Sequence, residues 1–282
     1  MKFIIKVILL SSIISHYSFA DVNDVKNKFL NSLENYLSES FENTDFSIRS
    51  IEETKPEIGI QTFRPFDEDD DGLMFFQGSL FIHDGDRETI NLGIGKRSLL
   101  DDDSILIGLN AFYDYEHDYS HQRISLGADV KSSILNFYAN QYYSLSGSET
   151  GKNNKSEEAI DGFDLEIGAH VPYIPSLTLY AKAFDFEVSG GNDFQGLEYS
   201  SELKFPNSGF IFEFGHTDYD HHNDETFFNL KYSSNNINPN TSLISREAYE
   251  KISMVNKKYD KVRRDNIIVK KGSGFTVKAG GF

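Results

Sequence analysis

From Asp45 to Ser234, apolar side chains recur at every second residue, and the positions between them are polar or glycine with the same regularity. Successive side chains of a strand point to opposite faces, so this period describes β-structure with one apolar and one polar face, not helices of period 3.6. Ile90, Leu92 and Ile94 alternate with Asn91, Gly93 and Gly95. Ile105, Ile107, Leu109, Ala111 and Tyr113 alternate with Gly108, Asn110 and Asp114. The pattern returns at Ile124–Val130, at Phe163–Val171, at Phe210, Phe212 and Phe214, and at Phe228, Leu230 and Tyr232. A soluble sandwich would turn the apolar face inward, and a membrane barrel would turn it toward lipid. The segments run to roughly ten residues, as tilted spanning strands require, instead of about five or six. The expected fold is therefore all-β, a transmembrane antiparallel β-barrel.

Counting segments gives about twelve strands, over 45–53, 56–66, 73–82, 87–98, 103–114, 120–130, 133–146, 160–171, 176–187, 194–205, 208–218 and 224–234. Connections at one end are long (Tyr115–Gln122, Leu145–Ile160, Ser189–Gln195, Tyr219–Asp224), while those at the other are tight, as at Lys131–Ser133 and Pro206–Ser208. Bacterial barrels have long loops outside and short turns in the periplasm, which puts the N-terminus in the periplasm.

The first twenty residues differ from the rest. Lys2 and Lys6 precede an apolar run, Val7–Ile14, and Ser18-Phe19-Ala20 suits a signal peptidase, so 1–20 is expected to be a cleavable signal peptide. Cleavage removes two lysines and no acid, taking the net charge from −17 to −19, which disfavours nucleic acid as a partner. No cysteine is present among the 282 residues, so an exported chain of this kind must be held by hydrogen bonding and packing. Val22, Val25, Phe29, Leu33 and Tyr36 share a helical face, predicting a short periplasmic amphipathic helix over 21–43.

Beyond the barrel segment 44–234, Ser245 is placed to cap a helix carrying Ala248, Ile252, Val255 and Tyr259 on one stripe. Lys257–Lys271 then holds seven Lys/Arg against Asp260 and Asp265. The inward positions of the strands are rich in acids: Asp114, Asp129, Asp164, Glu166, Glu198 and Glu202. A basic segment threading an acidic lumen is electrostatically favourable, more so than in open water. Residues 235–271 are thus expected to form a linker, with a helix, that threads the pore.

Catalytic, cofactor-binding and metal-binding residues are expected to be absent. Gly93-Ile94-Gly95-Lys96-Arg97 lacks the spacing and the following helix of a phosphate loop. Its inward glycines are expected to make room for the threaded segment. Asp67–Gly72 begins like a calcium loop, but Gly78 stands where a bidentate Glu is needed, leaving a solvated periplasmic turn. His216, Asp218, Asp220, His221, His222 and Asp224 offer donors that suit zinc, yet a loop rarely fixes tetrahedral geometry. Nothing orients a base against a nucleophile, so the chain is not expected to be an enzyme. An open diffusion pore, with the loops making any surface contact, is the competing function.

An ordered series of strings resembles the translocation domain of inverse autotransporters, the intimin and invasin family. They are Phe75-Phe76-Gln77-Gly78, Asn91-Leu92-Gly93-Ile94-Gly95-Lys96-Arg97, and Gly108-Leu109-Asn110-Ala111-Phe112-Tyr113-Asp114-Tyr115. Arg123–Asp129, Asn140–Gly147, Gly162-Phe163-Asp164 and Arg264–Val269 continue the series over nearly the whole mature chain. The resemblance implies a twelve-stranded barrel in the outer-membrane lipid, delivered by periplasmic chaperones and the barrel-assembly machinery, that displays a C-terminal passenger through its own pore. Two departures accompany it. Members often carry a periplasmic peptidoglycan-binding module before the barrel and immunoglobulin-like passengers after it. Here only the short helix precedes the barrel, and 272–282 is a tail too short to fold alone, so a folded passenger is expected to be missing and a surface ligand is unknown.

Overall fold

The computed structural model describes residues 42–51, 55–236, 242–249 and 251–272. The expected signal peptide, the 21–43 helix (all but its last two residues) and nearly all of the 272–282 tail lie outside them. Twelve antiparallel strands close into a barrel. They are β1 (Thr44–Ile51), β2 (Glu57–Asp69), β3 (Gly72–His83), β4 (Arg87–Leu100), β5 (Ile105–Glu116), β6 (Gln122–Ser132), β7 (Leu135–Ser144), β10 (Gly162–Val171), β11 (Ile174–Phe186), β12 (Phe194–Lys204), β13 (Phe210–Tyr219) and β14 (Glu225–Ser233). Two short strands, β8 (Ser148–Thr150) and β9 (Ser156–Ala159), fold the 145–161 connection into a hairpin, and β15 (Lys270–Gly272) pairs with β9. Each barrel strand pairs with its sequence neighbours and β1 with β14, which leaves the barrel no free edge.

The alternation is inverted relative to a soluble protein. In β4, Leu92 is 61% exposed while its neighbour Asn91 is fully buried, and in β5 Leu109 is 69% exposed while Asp114 is fully buried. The outer face thus carries Ile90, Leu92, Ile94, Leu109, Leu126, Phe137, Leu165, Leu197 and Phe214. The polar side chains fill the interior. No described helix is long and apolar enough to cross a membrane.

The turns at the rim where the chain enters (entry rim) are short. Asp70-Asp71 joins β2 to β3, and Asp101–Asp103, all three with positive φ, turns β4 into β5. At the opposite rim, where β15 leaves the lumen (exit rim), the connections include 117–121, 145–161 and 187–193. Gly93 shows what the inward glycines do. A Cβ there would lie 2.2 Å from the ring of Phe112, so the glycine makes room for a flattened aromatic of the adjacent strand. The nearest obstacle is a wall side chain, not the threaded segment that the sequence suggested.

Candidate functional site

The lumen is occupied by the chain's own C-terminal segment. Residues 245–249 and 251–254 first skirt the entry rim. The Ser245 N–H donates to the Tyr173 carbonyl (2.9 Å), the Tyr173 N–H to the Ala248 carbonyl (3.0 Å), and the Met254 N–H to the Asp103 carbonyl (2.7 Å). The Ile252 N–H donates to Ser133 Oγ at 3.0 Å. These backbone groups are taken by barrel turns, and among the described residues the expected helix from Ser245 does not form. Among the described residues only a 3-10 turn, Val255–Tyr259, coils there. Met254 plugs into Leu99 and Leu106, and an extended thread continues from Asp260 through the lumen to Gly272.

Each cation of the thread finds a carboxylate. At the entry rim Lys258 pairs with Glu68 (3.2 Å) and Lys261 with Asp45 (2.7 Å). Lys257 has Asp260 at 4.0 Å, and Asp260 is held by Lys131 at 3.0 Å. Midway, Arg263 reaches Glu166 (2.6 Å), Glu213 (2.9 Å) and Glu202 (3.4 Å), with its guanidinium 3.8 Å above the Tyr180 ring. Arg264 points to the other wall, forking onto Asp114 at 2.9 and 2.6 Å and onto Ser125 Oγ at 3.0 Å. Toward the exit rim Lys270 pairs with Glu116, and Lys271 with Glu158 at 3.5 Å. The enclosed pairs of Arg263, Arg264 and Lys270 are screened by water far less than exposed pairs such as Lys271–Glu158.

Wall side chains also bond several of the thread's peptide groups. Gln77 Oε1 accepts from the Val262 N–H (2.8 Å) and the Tyr142 hydroxyl from the Asp265 N–H (2.8 Å). Asn140 donates to the Arg263 carbonyl (3.1 Å), Arg123 to the Asp265 carbonyl (2.6 Å), and Asn91 to the Asn266 carbonyl (2.9 Å). An unpaired backbone group buried here would cost about 1–3 kcal/mol. Val262 packs with Phe63, Leu73, Phe75 and Phe112, and Val269 with Tyr142, Ile160, Phe184, Phe186, Phe194 and Tyr219. A cavity of about 890 Å³ remains on the entry side.

All six acids read as luminal are buried on the inner face. Asp114, Glu166 and Glu202 meet the thread directly. Asp129 instead pairs with Arg97 (3.4 Å), Glu198 with Arg49 (3.3 Å) and Lys182 (3.2 Å), and Asp164 accepts from Tyr142 (2.6 Å) and Asn140 (2.8 Å). Glu213, Glu116, Asp45 and Glu68 also hold the thread without having been singled out, although Glu213 and Glu116 share the inward parity of their strands. Wall cations join the acids: Arg97, Arg123, Lys131 and Lys182 grip thread carbonyls or carboxylates.

Possible metal ligands give one group among the described residues, Glu116, His121 and Glu157, with donor atoms within 4.8 Å of one another. Arg87 sits on both carboxylates, at 2.9 Å from Glu116 and 2.6 Å from Glu157, and Lys270 also sits on Glu116. Two cations already balance two acids, so the group is an ion-pair cluster. The His216–Asp224 residues are not assembled into such a group. Gly93 to Arg97 is plain strand, with Arg97 bridging the thread and Asp129.

A closed twelve-stranded barrel, apolar outside and filled by its own cationic segment, defines an outer-membrane β-barrel protein with a threaded pore. The chain belongs to the inverse autotransporter β-domain family, whose model matches residues 11–266. This is not an enzyme family. A putative attaching and effacing protein homolog of Escherichia coli (strain K12) is 27% identical over 149 residues, covering 51% of this chain and 48% of that protein. Invasin of Yersinia enterocolitica is 30% identical over 111 residues, covering 38% of this chain and 13% of that protein. The matches thus span about half or less of these relatives. A solved structure described as "Unveiling the Mechanism Behind the in-meso Crystallization of Membrane Proteins" shares the fold, with a TM-score of 0.68 at 17% identity over 82% of this chain and 99% of that one. Five of the family strings gain a physical meaning: Gln77, Asn91, Arg97, Asp114, Arg123 and Asn140, which lie in them, are among the side chains that hold the thread.

Proposed function

We propose that this barrel carries its C-terminal linker from the periplasm to the cell surface and displays there whatever is attached beyond Gly272. The entry rim then faces the periplasm, following export by the 1–20 signal peptide and insertion by periplasmic chaperones and the barrel-assembly machinery. The observation that carries the proposal is the thread's path. It contacts Asp45 and Glu68 at one rim, Asp114 and Glu166 midway, and Glu116 and Glu158 at the other, so one segment runs the length of the lumen. A diffusion pore would gain nothing from such an occupant, since it closes the channel. The two relatives are named as an attaching and effacing protein homolog and as an invasin.

The test is an epitope appended after Phe282, probed on intact cells beside a second epitope in the 145–161 hairpin. Display requires both to be labelled without permeabilisation. Labelling of the hairpin alone would show that the linker does not deliver its end outside, and the open-pore alternative would take its place.

A further inference from the structure

At the exit rim one charge cluster joins four parts of the molecule that could otherwise separate. Arg87 of β4 and Glu116 of β5 come from the wall, Glu157 from the β8–β9 hairpin, Lys270 from the thread, and His121 from the 117–121 connection. His83 of β3 stands 3.5 Å from Glu116, and the Arg87 guanidinium lies 4.4 Å from the Tyr119 ring. The hairpin is further tied across the rim by Lys152, 2.5 Å from Asp86, and to the thread by the β9–β15 pairing.

His121 is the odd member. Its side chain is fully buried, neither ring nitrogen has a hydrogen-bond partner, and Nε2 lies 3.6 Å from Glu157. Arg87, Lys270, Glu116 and Glu157 surround it and already neutralise one another. A proton on the ring would add an unbalanced, unsolvated charge to a closed cluster.

We infer that His121 makes the exit-rim closure acid-sensitive, so that its protonation loosens the hairpin and the adjoining end of the thread. The device is independent of whether the barrel displays a passenger. Burial holds the imidazole below its ordinary range, with Lys270 and Arg87 acting in the same direction against Glu116 and Glu157. Burial pushes the Glu157 carboxyl up, but Arg87 outweighs it and holds the group below its usual value. Both groups bind protons more readily in the open state. Closure is therefore complete above the ordinary histidine value of about 6.5 and weakens as pH falls below it. The ratio of closed to open states drops by up to about tenfold per pH unit until the closed form itself titrates. Glu157 adds a second loss only below the ordinary carboxylate range.

Hydrogen exchange on the full chain in detergent, corrected for the intrinsic effect of pH, reads the device directly. Amides of 148–159 and 269–272 should lose protection between pH 7.5 and 5.5, while those of β5 keep theirs. His121→Gln should abolish that response. Should this variant already be open at pH 7.5, the midpoint of the His121 ring titration by NMR in the native chain must coincide with the loss of protection. Unchanged protection in the native chain, an equal loss in a closed His121→Gln, or a mismatch of midpoints overturns the inference.

Discussion

Arg264 of the thread and Asp114 of β5 meet through two hydrogen bonds, of 2.9 and 2.6 Å, with both side chains shielded from solvent. Asp114 also receives Arg123 Nε at 2.8 Å, so one carboxylate is shared between a wall cation and a thread cation. Arg263, the preceding residue, goes to three acids on the other side of the lumen. Adjacent arginines bound to opposite walls fix both the rotation and the register of the thread.

Removing either arginine should therefore unseat the thread, and by different amounts. Arg264→Ala leaves Asp114 with Arg123, and the loss should lie near the lower end of the roughly 3–5 kcal/mol typical of a broken buried pair. Arg263→Ala strips Glu166 of its ion-pair partner while Glu202 and Glu213 retain Lys231. Its effect should be larger. Hydrogen exchange over 261–269 checks the order.

Deleting 245–271 should convert a poorly conducting barrel into an open one. Single-channel recording in planar bilayers is the measurement. Equal conductance with and without the segment would mean that the thread does not set the constriction.

Leu109→Arg tests the outward face. The residue is 69% exposed in the middle of β5, and a cation facing lipid at that depth costs roughly 2–4 kcal/mol. The folded fraction after refolding into vesicles should fall, whereas Asp118→Arg in the exit-rim connection should leave it nearly unchanged.

Salt should separate two kinds of ion pair. Lys152 and Asp86 are 32% and 64% exposed, and at 1 M salt, where the screening length is about 3 Å, that tie should weaken. Arg263 and Arg264 lie out of reach of such screening. Protease cutting near Lys152 should rise with salt while protection of 261–269 stays constant.

The strands were legible because their signal is local. Period two over ten residues needs no knowledge of partners, and the largest boundary shift is at β2, which ends at Asp69 where 66 was expected. The Ser245 helix illustrates the opposite case. Ala248, Ile252, Val255 and Tyr259 have helical spacing, but Tyr173, Ser133 and Asp103 capture the intervening peptide groups, and those partners are remote in sequence. Last-strand parity puts Tyr232 with Phe228 and Leu230 as expected, yet Tyr232 is buried in contact with Phe210, a cross-strand neighbour. Charge complementarity between lumen and linker could be read, while the pairings themselves depend on barrel register. The polar 145–161 connection gave no hint of its hairpin, whose pairing with Lys270–Gly272 arises only once the thread is in place.

The antiparallel alignment of Lys270–Gly272 with β9 also has a mechanical side. A pull applied beyond Gly272 acts along the strand, so its hydrogen bonds to β9 are loaded in shear and not peeled one at a time. Tension passed further inward reaches Lys270, then Arg264 and Arg263, each anchored to a different stretch of wall. The barrel thus resists extraction of its own linker as a cleat holds a rope, with resistance spread over successive grips along the line of force.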